Sequence, residues 1–327
     1  MRIRIAERTE EQYMAEQMRE STGIVVIGSC FVDIKGYPTS QFIPAGRNRG
    51  RVIQVHGGVS RNVAEDIANV GLHPTFIGPV DESGIGTDVI EHLKKRGINT
   101  DYIIRTEDGL GMWLAVFDNL GDVAASVSKR PDLAPVSNVL AEHGDEIFSR
   151  ADSIVVEIDM EEEQLEDIFS LAEKFGKKVY AVVSNMSIAL ERRYWLKKTD
   201  CIVCNYQESV LLFSEEPAEL SPEEVQRFLP EKIHKAQINR MVVTMGDQGA
   251  VYVDSDGTTG IVPALKVDVM DTTGAGDAFF AGIAIGLTYG KNLQEASVIG
   301  TKLAASVIAT DENVCPSYRL EEFGIEI

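Results

Sequence analysis

"DTTGAGDAFFAGI" spans residues 271–283. A run of small residues, Thr273-Gly274-Ala275-Gly276, leads into an apolar stretch, and an ionisable side chain, Asp277, stands at the junction. Small residues at a helix start leave backbone N–H groups uncovered, so the amides of residues 274–277 are placed to converge on an anion. Gly282 and Gly286 leave room for close packing of a second helix. The plainest reading of Asp277 is a first-turn charge favoured by the helix dipole. The chemical reading is a base. Beside an anion held by those amides, the carboxylate takes the proton of a hydroxyl attacking a phosphoryl group. The stretch is not a Walker loop, since no Gly-Lys-Ser/Thr follows. It is not GxGxxG either, since Phe279 stands where the last Gly would be.

Outward from this stretch, short apolar runs alternate with amphipathic segments. "GIVVIGS" (23–29), "PTFIGPV" (74–80), "SIVVEI" (153–158), "KVYAVVS" (178–184), "DCIVCN" (200–205) and "RMVVTMG" (240–246) read as buried strands. "RNVAEDIANVG", "GIGTDVIEHLKKRG", "EEEQLEDIFSLAEKFG" and "PEEVQRFLPEKIHKAQ" read as helices between them. The alternation predicts an α/β fold whose mostly parallel sheet carries helices on both faces. Two stretches, about 33–56 and 102–128, lack helical patterning and carry alternating strands with Gly, Asn and Asp turns, among them a hairpin turn in "DNLGD" (118–122). They are expected to form a small antiparallel sheet projecting as a lid. Residues 1–22 read as a charged, helical N-terminal extension, and 321–327 as a C-terminal tail.

The 327 residues carry a formal charge of −20, which excludes a nucleic-acid partner and disfavours an anionic membrane surface. An anionic ligand would therefore meet positive potential only locally, at helix N-termini, a metal ion or a few placed Lys and Arg. No membrane-length apolar run and no secretory leader stand out, so a cytoplasmic setting is expected. Cys201 and Cys204 have CxxC spacing. They lie on one strand, three apart and so on opposite faces, and are expected to be structural, as are Cys30 and Cys315.

The stretch 271–283 resembles the C-terminal signature of the ribokinase (PfkB) family of small-molecule kinases, and other motifs of that family appear in order. "GSCFVD" ends at Asp33, matching a substrate-binding Asp. "GGVSRN" (57–62) matches the Gly-Gly signature whose Gly57, Gly58 and Asn62 would contact substrate hydroxyls. "NYQE" matches an Asn-x-x-Glu motif in which Asn205 and Glu208 would organise Mg²⁺ and phosphate through water. "TMGDQG" matches a nucleotide-site turn with Thr244, Gly246 and Gly249. The resemblance covers roughly residues 23–320 and implies a three-layer α/β/α domain with a β lid. It implies transfer of the γ-phosphoryl of ATP to a primary alcohol, with Gly274, Ala275 and Gly276 as the anion hole and Asp277 as base. Asp271 and Thr273 match positions that bind a monovalent cation, usually K⁺. In the second loop of that site Asn313 replaces a usual Gly, and Ser184-Asn185 replaces a usual Asp-Pro or Asn-Pro near the phosphates.

Arg61, directly before Asn62, and the polar stretch "AGRNRGRVIQVHGG" make the chain most similar to the pseudouridine kinases of that family. A guanidinium at that place is expected to donate fork-like hydrogen bonds to a base carbonyl, giving a pseudouridine-like nucleoside as acceptor. A free sugar such as ribose or fructose is the alternative. A catalytically silent sugar- or nucleoside-sensing module is the third reading, and it conflicts with the intact "GAG" and Asp277. Apolar lid positions Val52, Ile53, Val55, Trp113, Leu114 and Val116 lead to the expectation of a homodimer formed through the lid.

Overall fold

The apolar run after Gly23 is buried on both sides. Ile24 and Val26 enter one hydrophobic core, while Val25 and Ile27 enter another on the opposite face. That division, repeated along the sheet, makes the molecule three-layered. The computed structural model describes residues 21–119, 123–215 and 219–326. The helical reading of the N-terminal extension and the tip of the 118–122 turn lie outside them.

Thirteen strands are present among the described residues: β1 (Gly23–Ile27), β2 (Phe31–Pro38), β3 (Gly50–Gly57), β4 (Thr75–Val80), β5 (Ile103–Arg105), β6 (Gly111–Phe117), β7 (Val123–Lys129), β8 (Ala151–Glu157), β9 (Val179–Val182), β10 (Cys201–Asn205), β11 (Met241–Thr244), β12 (Ala250–Val253) and β13 (Thr259–Val262). Nine form the main sheet, in the order β13-β12-β11-β10-β9-β8-β1-β4-β5. From β11 to β5 every neighbour is parallel, and β12 and β13 add an antiparallel edge.

Helices α1 (Val59–Asn69) and α2 (Gly84–Lys95) pack on one face of this sheet. The opposite face carries α3 (Val136–Arg150), α4 (Glu162–Phe175), α5 (Met186–Ala189), α6 (Arg193–Leu196), α7 (Tyr206–Phe213) and α8 (Pro222–Ala236). Helices α9 (Ala275–Thr288) and α10 (Leu293–Ile308) return to the first face and complete its core. Cys201 lies in one core and Cys204 in the other, all four thiols are free and buried, and among the described residues no cluster of His, Cys, Asp and Glu is arranged to hold a metal. No helix among the described residues is long and apolar enough to cross a membrane.

The second sheet, β3-β2-β6-β7, is the lid. Its outer ladders, β2 with β3 and β6 with β7, are antiparallel, and its central ladder, β2 with β6, is parallel. The parallel ladder has a simple origin. Strands β1 and β5 run in the same direction, and short links (28–30 and 106–110) carry both chains out over the same edge of the main sheet. One boundary needs correction: Ile103–Arg105, expected in the lid, pairs with β4 and closes the edge of the main sheet, so the second lid segment starts at Gly111.

The lid strands separate residues by face. Asp33, Val55, Trp113 and Ser128 share a register line, as do Lys35, Ile53, Ala115 and Ser126. The other face carries Ile34, Val52, Leu114, Val116 and Val127.

Helices α9 and α10 are held close by glycine. A Cβ on Gly282 would lie 2.5 Å from Gly300 Cα, and one on Gly286 would lie 2.7 Å from Ala296 Cβ. Backbone on the facing helix cannot yield as a side chain can. Gly282→Val is therefore expected to destabilise the fold by about 2–4 kcal/mol through overpacking, read as a lower midpoint in a urea melt. An unchanged midpoint would contradict this packing.

Candidate active site

The start of α9 is the junction of the site. Gly274 caps the helix with φ +82°, a left-handed conformation costly for any other residue. The space for a Cβ is taken by the carbonyl of Asn313, which presses against it. The following amides, at Ala275 and Gly276, open onto a cleft of about 700 Å³. Thr244, Gly246 and Gly249 line the same cleft, with apolar walls from Leu265, Val267, Phe279 and Ile308. The expected anion hole and the expected nucleotide-site turn thus line one cavity.

On its other side the same helix start meets α1. Asn62 Nδ2 donates to Asp277 Oδ2 at 2.6 Å. Burial drives the Asp277 carboxyl up to about 7, and the Asn62 hydrogen bond and the Arg61 charge offset only part of that shift. A carboxyl group poised near neutrality is suited to take a proton from an alcohol and release it again. Asn62 is not an N-cap: Gly58, at φ +96°, holds that position, and Asn62 sits one turn in with its side chain on Asp277.

Asp33 lies on the lid face that carries Lys35 and Tyr37. A Cβ on Gly57 would meet the Asp33 carboxyl at 2.9 Å, so Gly57 is what leaves that carboxylate space. Burial pushes Asp33 upward, opposed by the nearby charges of Lys35 and Arg61. Asp271 feels Lys35 and in turn acts on Tyr37, so this lid face is turned toward the anion-hole loop. Asp271 Oδ1 accepts from the Thr273 amide at 2.8 Å. Burial pushes Asp271 up, but the Thr273 hydrogen bonds and the Lys35 charge outweigh it and leave the group lowered and ionised.

Arg61 corrects an expectation. Its side chain is 2 % exposed, and its donors are spent inside the protein. Nε donates to Gly57 O at 3.3 Å and Nη1 to Glu65. Nη2 donates to His56 O at 2.7 Å, to Asn62 Oδ1 and, at 3.4 Å, to Asn313 Oδ1. No fork is presented to a base in the cleft.

Asn205 and Glu208 also differ from the simplest reading. They form a reciprocal capping box on α7: Asn205 N donates to Glu208 Oε2 at 2.9 Å, and Glu208 N to Asn205 Oδ1 at 2.8 Å. They do not line the 700 Å³ cleft, although Asn205 is the register partner of Thr244 at the same sheet edge. Asn185 caps α5, donor and acceptor being Ser187 N and its own Oδ1 at 3.0 Å, while Ser184 N donates to Asp159 Oδ1 at 3.2 Å.

Three groups escaped the sequence reading. Glu157, at the end of β8, accepts from Ser29 N, Ser29 Oγ and Ser60 Oγ and lies within electrostatic reach of Asp277. Its signal is a charged residue closing the apolar run Ile154–Val156. Asp66, on the buried face of α1, accepts from Cys315 N at 2.6 Å, while its Oδ2 has no partner among the described residues; burial pushes it far above the carboxylate range. Lys35 follows Asp33 at strand spacing, and the period of two already puts both on one face.

Known proteins give independent bearings. Residues 21–315 match the pfkB family carbohydrate kinases. A guanosine-inosine kinase of Exiguobacterium acetylicum is 35 % identical over 294 residues, 89 % of this chain and 95 % of that protein. A pseudouridine kinase of Escherichia coli (strain K12) is 29 % identical over 269 residues, 82 % of this chain and 84 % of that protein. A solved structure of Arabidopsis thaliana ribokinase complexed with ribose and ATP superposes with a TM-score of 0.77 at 19 % identity, covering 90 % of this chain and 96 % of that one, a likeness of fold.

Gly274→Ala places a Cβ against the Asn313 carbonyl at a backbone angle that Ala resists. Calorimetric titration with a nucleoside triphosphate is expected to show binding weakened by about tenfold or more, a loss of ~1.4 kcal/mol. Wild-type affinity in that variant would remove these amides from the anion site.

Proposed function

The chain belongs to the pfkB family of carbohydrate kinases, and on that premise we propose that it transfers the γ-phosphoryl of ATP to the primary hydroxyl of a nucleoside. The observation that carries the acceptor class is the lid face above Asp33. Trp113 is the direct register partner of Asp33 on β6. Tyr37 and Phe117 stack with ring centroids 4.7 Å apart, and Trp113 meets Phe117 edge-on at 6.3 Å. A carboxylate for sugar hydroxyls next to three aromatic rings suits a ligand with a ribose at one end and a flat base at the other. A free sugar leaves the rings unused. The relatives named for guanosine and inosine and for pseudouridine support a nucleoside. A pseudouridine-like acceptor remains within this reading, resting now on the rings and not on Arg61.

In the proposed reaction Asp33, Asn62 and the Gly57-Gly58 backbone hold the ribose hydroxyls. Asn62 has a second amide hydrogen beyond the one given to Asp277. Asp277 accepts the proton of the primary hydroxyl. That oxygen bonds to the γ-phosphorus as the bond to the β–γ bridging oxygen breaks, and ADP leaves. Amides at Gly274, Ala275 and Gly276 stabilise charge on the transferring group, and Thr244, Gly246 and Gly249 border the nucleotide.

Because no set of His, Cys, Asp and Glu among the described residues forms a metal cage, Mg²⁺ would ride on the triphosphate with its waters. Glu208, with one oxygen committed to the capping box, would reach it through water, beside Asn205. When bound, Mg²⁺ neutralises phosphate charge. Asp271, ionised, and Thr273 would hold a monovalent cation next to the anion hole. An ATP-dependent reaction and four free buried thiols fit a cytoplasmic setting.

The test is a coupled ADP-release assay with pseudouridine, guanosine, inosine, ribose and fructose. A nucleoside is expected to exceed both sugars in kcat/KM by at least ~10-fold, and Trp113→Ala to raise its KM by about tenfold. Preference for ribose or fructose would sink the nucleoside reading and favour the sugar-kinase alternative. With the preferred acceptor, Asp277→Asn is expected to lower kcat by at least ~10²-fold. Activity requires Asp277 ionised, and its pKa is raised to about 7, so wild-type kcat is expected to fall as pH drops through neutrality. Near-normal turnover of Asp277→Asn would reject the base, and a wild type that releases ADP with none of the five acceptors would reopen the sensing-module reading.

We also propose that two copies pair through the outer lid face. Val52 and Val127 are 71 % and 70 % exposed, and Leu114, between their strands, is 45 % exposed. These side chains form one apolar patch on a sheet whose edges are open. Ile53, Val55 and Trp113 lie on the other face and take no part. Light scattering at micromolar concentration is expected to give a dimer mass, and Val127→Asp a monomer; a monomeric wild type would overturn the pairing.

A further inference from the structure

Arg61 is among the largest fully buried side chains in the molecule, in a chain whose charge is strongly negative. A buried guanidinium is costly unless its donors are matched, and here they reach three parts of the chain: β3, α1 and the loop bearing Asn313. Glu65, 1 % exposed, is its charge partner one turn along α1, and Glu65 is itself held by His92 Nε2 at 2.9 Å and Arg96 Nε at 3.1 Å. His56 O lies at the end of lid strand β3, Asn62 on α1, and Asn313 in the loop pressed against Gly274. Asn313 adds its own bonds, Nδ2 to His56 O at 2.7 Å and to Asn62 Oδ1 at 3.4 Å.

The chemical point lies in the Asn62 amide. Rotated by half a turn, it would aim its oxygen at the Asp277 carboxylate, and two acceptors would face each other. Arg61 has only donors, so it accepts only the oxygen end of that amide as partner. Asn313 Nδ2 approaches the same oxygen. The nitrogen end is then left for Asp277. We propose that Arg61 is a positioning residue of the base: its guanidinium, braced by Glu65 and assisted by Asn313, locks the Asn62 amide in the orientation that donates to Asp277. The lock spans the lid strand, the acceptor helix and the anion-hole loop, so it also ties the base to the closing element.

Charged groups around Asp277 are few. Helix α1 contributes Arg61 and Asp66, and β8 contributes Glu157. Helix α10 meets α9 through Ile299 and Gly300. Strands β9 and β10 bring Tyr180, Val182, Cys201 and Val203 to that core, with Tyr180 and Cys201 pushed up by burial and so neutral near pH 7. Arg61 supplies positive charge that acts on the base, and it has two separable effects. Its charge favours the ionised form of Asp277, and its fork orients Asn62.

This inference rests on the reading of Asp277 as base, and the experiment separates the two. The pH profile of kcat is measured from about pH 5.5 to 8.5 for wild type, Arg61→Lys and the double variant Arg61→Met/Glu65→Gln. The double variant removes both charges at similar shape, so neither is left buried alone. Lysine keeps the charge, but an ammonium cannot serve Glu65, His56 O and Asn62 with a planar fork. Arg61→Lys is expected to keep the acid limb of wild type while its high-pH plateau falls by about tenfold or more, the size of effect that misplaced reacting groups produce. The double variant is expected to lose plateau similarly and to move the limb to higher pH, with the KM for ATP unchanged in both. A purely structural role would lower the melting temperature and leave both limb and plateau per folded molecule where they were. Wild-type plateaus in both variants would overturn the proposal with the base intact. A wild-type profile flat across the range, with Asp277→Asn near normal, would instead remove the base and this inference together.

Discussion

One hydrogen bond, 2.6 Å from Asn62 Nδ2 to Asp277 Oδ2, joins the two halves of the site. Helix α1 follows the lid strand that shields Asp33, and α9 begins at the anion hole. Neither helix alone brings an acceptor hydroxyl and a phosphoryl group together. In the proposed reaction their common packing on one face of the sheet does so, and this bond links them. The energetic conflict at this point is real, because a carboxylate is desolvated beside a site built for anions. The fold reconciles it locally: Asn62 donates, Arg61 supplies positive charge from behind, and the α9 N-terminus supplies oriented N–H dipoles. A chain with net charge −20 can thus hold a polyanionic ligand without a basic surface.

What was legible in the sequence follows from what each residue is asked to do. Gly274 and Gly57 were legible because close approach and left-handed backbone leave little choice of residue type. The two cores were legible because the inner strands of the main sheet, such as β1, β4, β8 and β9, are buried on both faces. The aromatic face of the lid was half legible. Period-two spacing puts Asp33, Lys35 and Tyr37 together, but it does not say that β6 lies beside β2, and so does not bring Trp113 to Asp33. Strand partners are a tertiary property, and alternation carries faces without partners.

Arg61 illustrates the opposite case. Its neighbour in sequence, Asn62, is a site residue, and a charged side chain at a helix start is ordinarily solvated. Glu65, four residues on, was a visible hint of an ion pair along one helix face. What the sequence did not display was the loop bearing Asn313, which arrives from some 250 residues away to cover the pair, as the separation of 252 shows. Burial of a charge is decided by what packs over it, and that element is not local. Asn205 and Glu208 form a capping box, and the spacing expected for a water-mediated ion contact is also the spacing of that cap.

The order in which the chain supplies these parts has a consequence for biogenesis. Helices α9 and α10, residues 275–308, cover one face of a sheet whose strands β1, β4 and β8 were made far earlier. During synthesis that face is covered only in part, by α1 and α2, until residues 275–308 have emerged, leaving apolar surface open to the wrong partners. The strongly acidic composition works against such encounters, since nascent copies repel one another. The proposed anion hole and base arrive on the same late helix, so a prematurely ended chain would carry the proposed acceptor residues and no means of using them.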